Sequence, residues 1–192
     1  FNSGILILPI VAPMLSNLPG GLLHVNVVGC GIMAAVAGSS AVTCATIGRM
    51  SIPELKKRNY DETLSIGSLA GSGTLGLLIP PSIMLIVYGV LAQVSISRLF
   101  IAGVLPGIMI IIIFMSYIII RSKLNPALAP KQNVSYTFFE KIKAAKNLLP
   151  VVALIFFVLG SIYGGYATPT EAATIGVIGA LILAWSSKSL SF

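Results

Sequence analysis

The sequence predicts an all-α integral membrane protein with several crossings, and three observations carry that fold class. Of its 192 residues, 56% are hydrophobic and only 9% charged, with a mean hydropathy of +1.00. Soluble domains carry about 25% charged residues. The apolar residues come in continuous runs of helical length, whereas an outer-membrane barrel would alternate over segments of about 10 residues. The uncharged run from Thr63 to Ser97 is 35 residues long, too long for one crossing of about 20. Near its middle it carries Gly71-Ser-Gly-Thr-Leu-Gly-Leu-Leu-Ile-Pro-Pro-Ser82. Pro81 has no amide to donate, and Pro80 pushes Ile79 away from helical dihedrals. The expectation is a discontinuous transmembrane helix with free carbonyls and amides at its break. Irregular backbone at membrane depth is tolerated only where protein or a water-filled cavity satisfies it.

Taken in order, residues 1–17 read as the end of a preceding membrane segment, interrupted by Pro9 and Pro13. Leu18-Pro-Gly-Gly21 is a turn by composition. Within 18–48, the uncharged stretch Leu22–Gly48 has two readings. One is a single long helix with Gly38 tolerated. The other is a re-entrant hairpin turning at Gly38-Ser39-Ser40, with arms of roughly 24 Å and 12 Å, neither long enough to cross. Residues 49–62 form a charged loop, 63–97 the broken helix and 98–120 a plain span. Residues 121–147 read as a basic loop, 148–167 as another span and 168–192 as the start of a further membrane segment. Thr168-Pro169-Thr170-Glu171 suits a helix start, with Thr168 as N-cap and Glu171 closing a capping box.

Charge gives an internal check. If the break lies within one crossing, the loops at Arg49 and Arg121 share a side, and eleven of the twelve Lys and Arg residues lie there, with Arg98 alone opposite. The positive-inside rule makes that side cytoplasmic. The net charge of +7 is then explained by orientation, without nucleic acid as a partner. Cys30 and Cys44 have neither disulfide nor metal-ligand spacing. Phe1 is not an initiator methionine and no signal peptide precedes the first turn, so the chain reads as a piece of a longer one.

Enzyme chemistry finds little support. His24 is the single histidine, neither cysteine has a base nearby in sequence, and no acid lies in the membrane runs through Ile120. What these runs do hold is neutral oxygen beside deformable backbone: Gly38-Ser39-Ser40 followed by Thr43, and Gly71 to Gly76 followed by Ser82. Carbonyls and hydroxyls of this kind suit a hard monovalent cation. Carbonyl ends of half-helices favour cations and amide ends favour anions. A proton relay would want ionisable residues in the membrane. Na⁺ is therefore expected as the coupled ion, with no other cofactor. The competing reading gives these small residues to helix packing alone.

The ordered set of motifs also carries a resemblance. Leu18-Pro-Gly-Gly-Leu-Leu-His-Val-Asn26, Gly38-Ser-Ser-Ala41, Ile52-Pro-Glu-Leu-Lys-Lys-Arg-Asn-Tyr-Asp61, Gly73-Thr-Leu-Gly-Leu-Leu-Ile-Pro-Pro-Ser82, Ser95-Ile-Ser-Arg-Leu-Phe-Ile-Ala-Gly-Val-Leu-Pro-Gly107 and Thr168-Pro-Thr-Glu-Ala-Ala173 follow one another. Together they resemble the large membrane subunit of tripartite ATP-independent periplasmic (TRAP) transporters over essentially the whole chain. The resemblance implies an elevator-type secondary transporter built of inverted repeats, of which this chain holds roughly the first. It implies Na⁺-driven import of organic acids, of C4-dicarboxylate or sialic acid type, across the bacterial inner membrane. A periplasmic substrate-binding protein and a small four-helix membrane subunit are the implied partners. It favours the hairpin reading of 18–48. Gly38, Ser39, Ser40, Gly73, Thr74, Gly76 and Ser82 are then the candidate Na⁺ ligands, with Ser40, Thr43, Pro81 and Ser82 against the substrate carboxylate. The alternatives are an elevator of Na⁺/dicarboxylate or antiporter type that needs no binding protein, and a non-transporting membrane scaffold. A scaffold would need no breaks at membrane depth.

Overall fold

A computed structural model describes Val11, Leu15 and residues 18–130 and 138–186, and these are mainly helical, joined by short turns, with no strand among them. Most of the expected segment at 1–17, part of the basic loop and the end of the chain beyond residue 186 lie outside the described residues. The turn at Leu18–Gly21 is present, with Gly20 at φ +101° and Gly21 at φ +44°, dihedrals that favour glycine.

From this turn α1 (Leu23–Ala37) runs to Gly38, which takes the left-handed conformation at φ +59° and donates its N–H to the Ala34 carbonyl. Ser39 is extended, and α2 (Ser40–Lys57) returns. The two arms are antiparallel: the Leu22 N–H at the base of α1 donates to the Tyr60 hydroxyl just beyond α2, at 3.4 Å. At 15 and 18 residues the arms reach about 22 Å and 27 Å. The single-helix reading of Leu22–Gly48 is therefore excluded by the turn at Gly38-Ser39. The second arm is also longer than expected, because residues 49–57 of the expected charged loop are helical. Pro53 sits inside this helix, which tolerates one missing amide where polar side chains and solvent surround it.

The next helical run is broken. Asp61 caps α3 (Glu62–Gly73), its Oδ1 accepting the Leu64 N–H at 2.7 Å. The helix is interrupted at Thr74, itself at helical dihedrals, before α4 (Leu75–Leu78), and the chain is then extended at Ile79 and at Ser82 before α5 (Ile83–Leu91). Ile79 has ψ 121°, as a residue before proline should. The two halves, Glu62–Leu78 and Ile83–Leu91, are bent by 42°. Then α6 (Ile96–Leu124) continues unbroken for 29 residues, about 44 Å, longer at both ends than the expected span 98–120. It is the one described helix that is by itself long and apolar enough to cross a membrane; the bent pair would make a second. A short 3₁₀ turn at Pro126–Leu128 follows.

Finally, α7 (Phe138–Tyr163) and α8 (Pro169–Ser186) pack on each other, with a Cβ at Gly179 only 2.5 Å from Leu154. The helical start of α7 takes residues 138–147 out of the expected basic loop. The capping box at α8 is formed. The Thr168 N–H and hydroxyl both donate to Glu171 Oε2 at 2.8 Å, and the Glu171 N–H donates back to Thr168 Oγ1 at 3.4 Å.

The main core lies among α1, α2, α3, α4 and α6, around Leu23, Val27, Cys30, Ile47, Leu55, Leu69, Leu75 and Ile118. A polar seam runs through it. Asn26, fully buried, donates through Nδ2 to the Ser65 carbonyl at 3.2 Å and to Ser68 Oγ at 3.0 Å. Ser72 Oγ donates to the Ser68 carbonyl and approaches the Asn26 carbonyl at 3.4 Å. Buried amides without partners cost roughly 1–3 kcal/mol, so the seam ties the register of α1 to that of α3.

Candidate functional site

The hairpin turn and the helix break meet. Gly76 lies on the turn so closely that a Cβ there would be 2.7 Å from the Ser39 carbonyl carbon and the Ser40 nitrogen. On the other side of the turn, a Cβ at Gly38 would be 2.5 Å from the Pro81 carbonyl oxygen. The Ile83 N–H donates to the Gly38 carbonyl at 3.1 Å, so one break caps the other. Gly73 extends this contact one turn further, with a Cβ position 3.0 Å from Cys44. Four helix ends thus converge. The carbonyl ends of α1 and of the α3–α4 run face the amide ends of α2 and α5. Carbonyl ends carry partial negative charge and amide ends partial positive charge.

The expected site residues divide. Gly38, Ser39, Ser40, Gly76 and Pro81 are brought into one backbone junction, with Gly73 adjoining it. Ser82 is fully buried at the start of α5 and donates its hydroxyl to the Leu77 carbonyl across the break at 2.8 Å. Its hydrogen is used while oxygen lone pairs remain. Thr43, one turn below Ser40, is fully buried and its Oγ1 has no hydrogen-bond partner. Ser51 and Ser122, away from the junction, have buried hydroxyls in the same condition, and a buried hydroxyl of this kind is commonly satisfied by an ordered water. Thr74 differs: it is exposed, and its hydroxyl donates to the Gly71 carbonyl at 2.6 Å within its own turn.

Sequence reasoning missed the third wall. In α6, Gly103 and Gly107 lie against the break: a Cβ at Gly103 would be 2.5 Å from the Leu78 carbonyl oxygen, and one at Gly107 would be 3.0 Å from Ile79. The signal was present as Gly-x₃-Gly spacing inside a plain span. Among the described residues no group of His, Cys, Asp and Glu could hold a metal ion.

The family model for the DctM component of tripartite ATP-independent periplasmic transporters matches residues 4–192. The chain belongs to that family. Among its relatives, the C4-dicarboxylate TRAP transporter large permease protein DctM of Vibrio cholerae is 38% identical over 165 residues, covering 86% of this chain and 36% of that protein. The isethionate TRAP transporter permease protein DctMQ of Oleidesulfovibrio alaskensis is 37% identical over 171 residues, 88% of this chain and 26% of its own length. The sialic acid TRAP transporter large permease protein SiaM of Vibrio cholerae is 33% identical over 172 residues, 88% of this chain and 39% of its own length. The chain thus spans well under half of each of these large permease subunits. Their different substrate names leave the substrate of this TRAP subunit unspecified.

Proposed function

We propose that this chain is the first-repeat part of the permease subunit of a Na⁺-coupled TRAP transporter that imports an organic acid. The single observation that carries the reading is the convergence of the Gly38-Ser39-Ser40 turn and the Gly76–Ser82 break in one backbone junction. A packing scaffold has no use for four helix ends at this depth, and half-helices facing each other are how secondary transporters hold ions and anionic groups.

In this proposal Na⁺ is a cotransported substrate. It is held by carbonyls of the Gly38–Ser39 turn and the Gly73–Leu78 run, with the Ser40, Thr43 and Ser82 hydroxyls adding neutral oxygen. The substrate carboxylate lies toward the amide ends of α2 and α5, near Ser40, Thr43, Pro81 and Ser82. The exposed Thr74 is the weakest of the candidate ligands. Two half-sites, one from each inverted repeat, complete the transporter, and the hairpin and broken helix move as a unit in an elevator step. The organic acid arrives from a periplasmic binding protein, and a small four-helix subunit accompanies the permease in the bacterial inner membrane. The names of the relatives support an organic acid of C4-dicarboxylate or sialic acid type as the class to test first.

The experiment is uptake by proteoliposomes holding the full-length permease, its small subunit and its binding protein. Labelled organic acids are offered with and without an inward Na⁺ gradient. Uptake that collapses when Na⁺ is replaced by K⁺ supports the proposal. Uptake unchanged by that replacement overturns the coupling, and uptake unaffected by omission of the binding protein overturns the tripartite arrangement.

A further inference from the structure

We propose that the groove between the start of α3 and the end of α6 binds the headgroup of a zwitterionic aminophospholipid, with Arg121 on its phosphate and Asp61 on its ammonium. The groove is a cavity of about 450 Å³, and its lining includes Asp61, Thr63, Gly67, Phe114, Tyr117 and Arg121. Its floor is built: the Asp61 N–H donates to the Leu128 carbonyl at 3.0 Å, drawing the turn after α6 under the start of α3. Its wall at Gly67 is open, since a Cβ there meets nothing within 4 Å.

The position selects a lipid. Arg121 and Lys123 fall in the last turn of α6, the 29-residue apolar helix. A Tyr and an Arg at the end of such a helix are the residues that meet the membrane–water boundary. Exposed Ile66, Ile113 and Tyr117 stand on the two helices beside the groove, so acyl chains leaving it meet apolar surface.

The charges select the headgroup. Arg121 forms no ion pair among the described residues, and a guanidinium matches phosphate in bidentate fashion. Asp61 spends Oδ1 on the Leu64 N–H, and a carboxylate accepts several further bonds. A purely anionic headgroup would set negative charge against Asp61, and a choline has no hydrogen to donate to it. A primary ammonium satisfies both. The inference rests on the membrane placement of α6 and not on Na⁺ coupling, so the uptake experiment can fail without touching it.

The test equilibrates the purified full-length transporter with phosphatidylethanolamine, phosphatidylglycerol and phosphatidylcholine in equal amounts. Native mass spectrometry then counts the lipids retained. Preferential retention of phosphatidylethanolamine is expected. Arg121→Ala should lower it about tenfold, the scale of one charge-assisted hydrogen bond, and Gly67→Phe should block the groove. Asp61→Asn keeps the helix cap and should erase the preference for ethanolamine over choline. Equal retention of all three lipids, or unchanged retention in all three variants, overturns the proposal. So does disulfide trapping of Gly67→Cys by a second protein segment in native membranes, because the groove would then be covered by protein.

Discussion

Gly76 and Ser39 meet backbone to backbone, with a Cβ position at residue 76 standing 2.7 Å from the Ser39 carbonyl carbon and 2.8 Å from its oxygen. No rotamer can relieve such a clash, because the neighbour is main chain and not the end of a flexible side chain. Gly76→Ala must therefore push the hairpin turn off the break, at a cost of about 1–3 kcal/mol for overpacking. Uptake by the full transporter should fall at least as steeply as thermal stability. Gly67→Ala is the control: its Cβ meets open space, and stability should hold or rise by up to about 1 kcal/mol.

Gly38 separates two causes of strain. Its φ of +59° favours glycine, and its Cβ position lies 2.5 Å from the Pro81 oxygen. Asn tolerates the left-handed region better than Ala. If the dihedral were the whole constraint, Gly38→Asn would recover much of what Gly38→Ala loses. The close approach of Pro81 predicts that both variants lose uptake, as measured side by side in proteoliposomes.

Asn26 holds the hairpin to α3 through two donor bonds, to the Ser65 carbonyl and Ser68 Oγ. Asn26→Leu should lower the unfolding free energy of the full-length protein by about 1–3 kcal/mol, as loss of buried hydrogen bonds does. Asn26→Asp sets a carboxylate oxygen toward the Ser65 carbonyl and should be worse. Thermal melts in detergent with the three variants in parallel decide this, and a neutral Asn26→Leu would contradict the role given to the seam.

Thr168 and Glu171 form a reciprocal cap at the start of α8. In Thr168→Ala the first amides of α8 should exchange with deuterium faster, whereas Thr168→Ser should leave them protected. The core around α1 to α6 should not respond, so a change confined to residues 168–172 is the expected signature.

The sequence made the break at Pro80-Pro81 legible because proline acts locally. Pro80-Pro81 dictates an extended Ile79, so this break and the capping box at Thr168 follow from nearest neighbours. The residues alone left Leu22–Gly48 open between one long helix and a hairpin, and it is the left-handed Gly38 of the structure that decides. Boundaries set by tertiary packing were not legible. The helix α2 runs on to Lys57 through Pro53 and charged residues, because Ile47, Ser51 and Leu55 bury one face of it in the core. The site showed the same division. Which glycines approach main chain, and that Thr74 turns outward while Gly73 and Gly76 turn inward, depends on helix phase around Thr74. The Gly103 and Gly107 wall went unread because a plain apolar span gives no reason to expect one face to touch a break.

In the proposed function, the hairpin turn and the helix break together form one Na⁺ site. It is tested most directly by calorimetric titration of the purified full-length transporter with Na⁺, in wild type and in Gly76→Ala, with K⁺ as the control cation. Saturable Na⁺ binding in wild type, no K⁺ binding, and a roughly tenfold or larger loss of Na⁺ affinity in Gly76→Ala, the change that about 1.4 kcal/mol produces, are expected. Na⁺ affinity that is the same in both proteins, with Gly76→Ala folded, would contradict it.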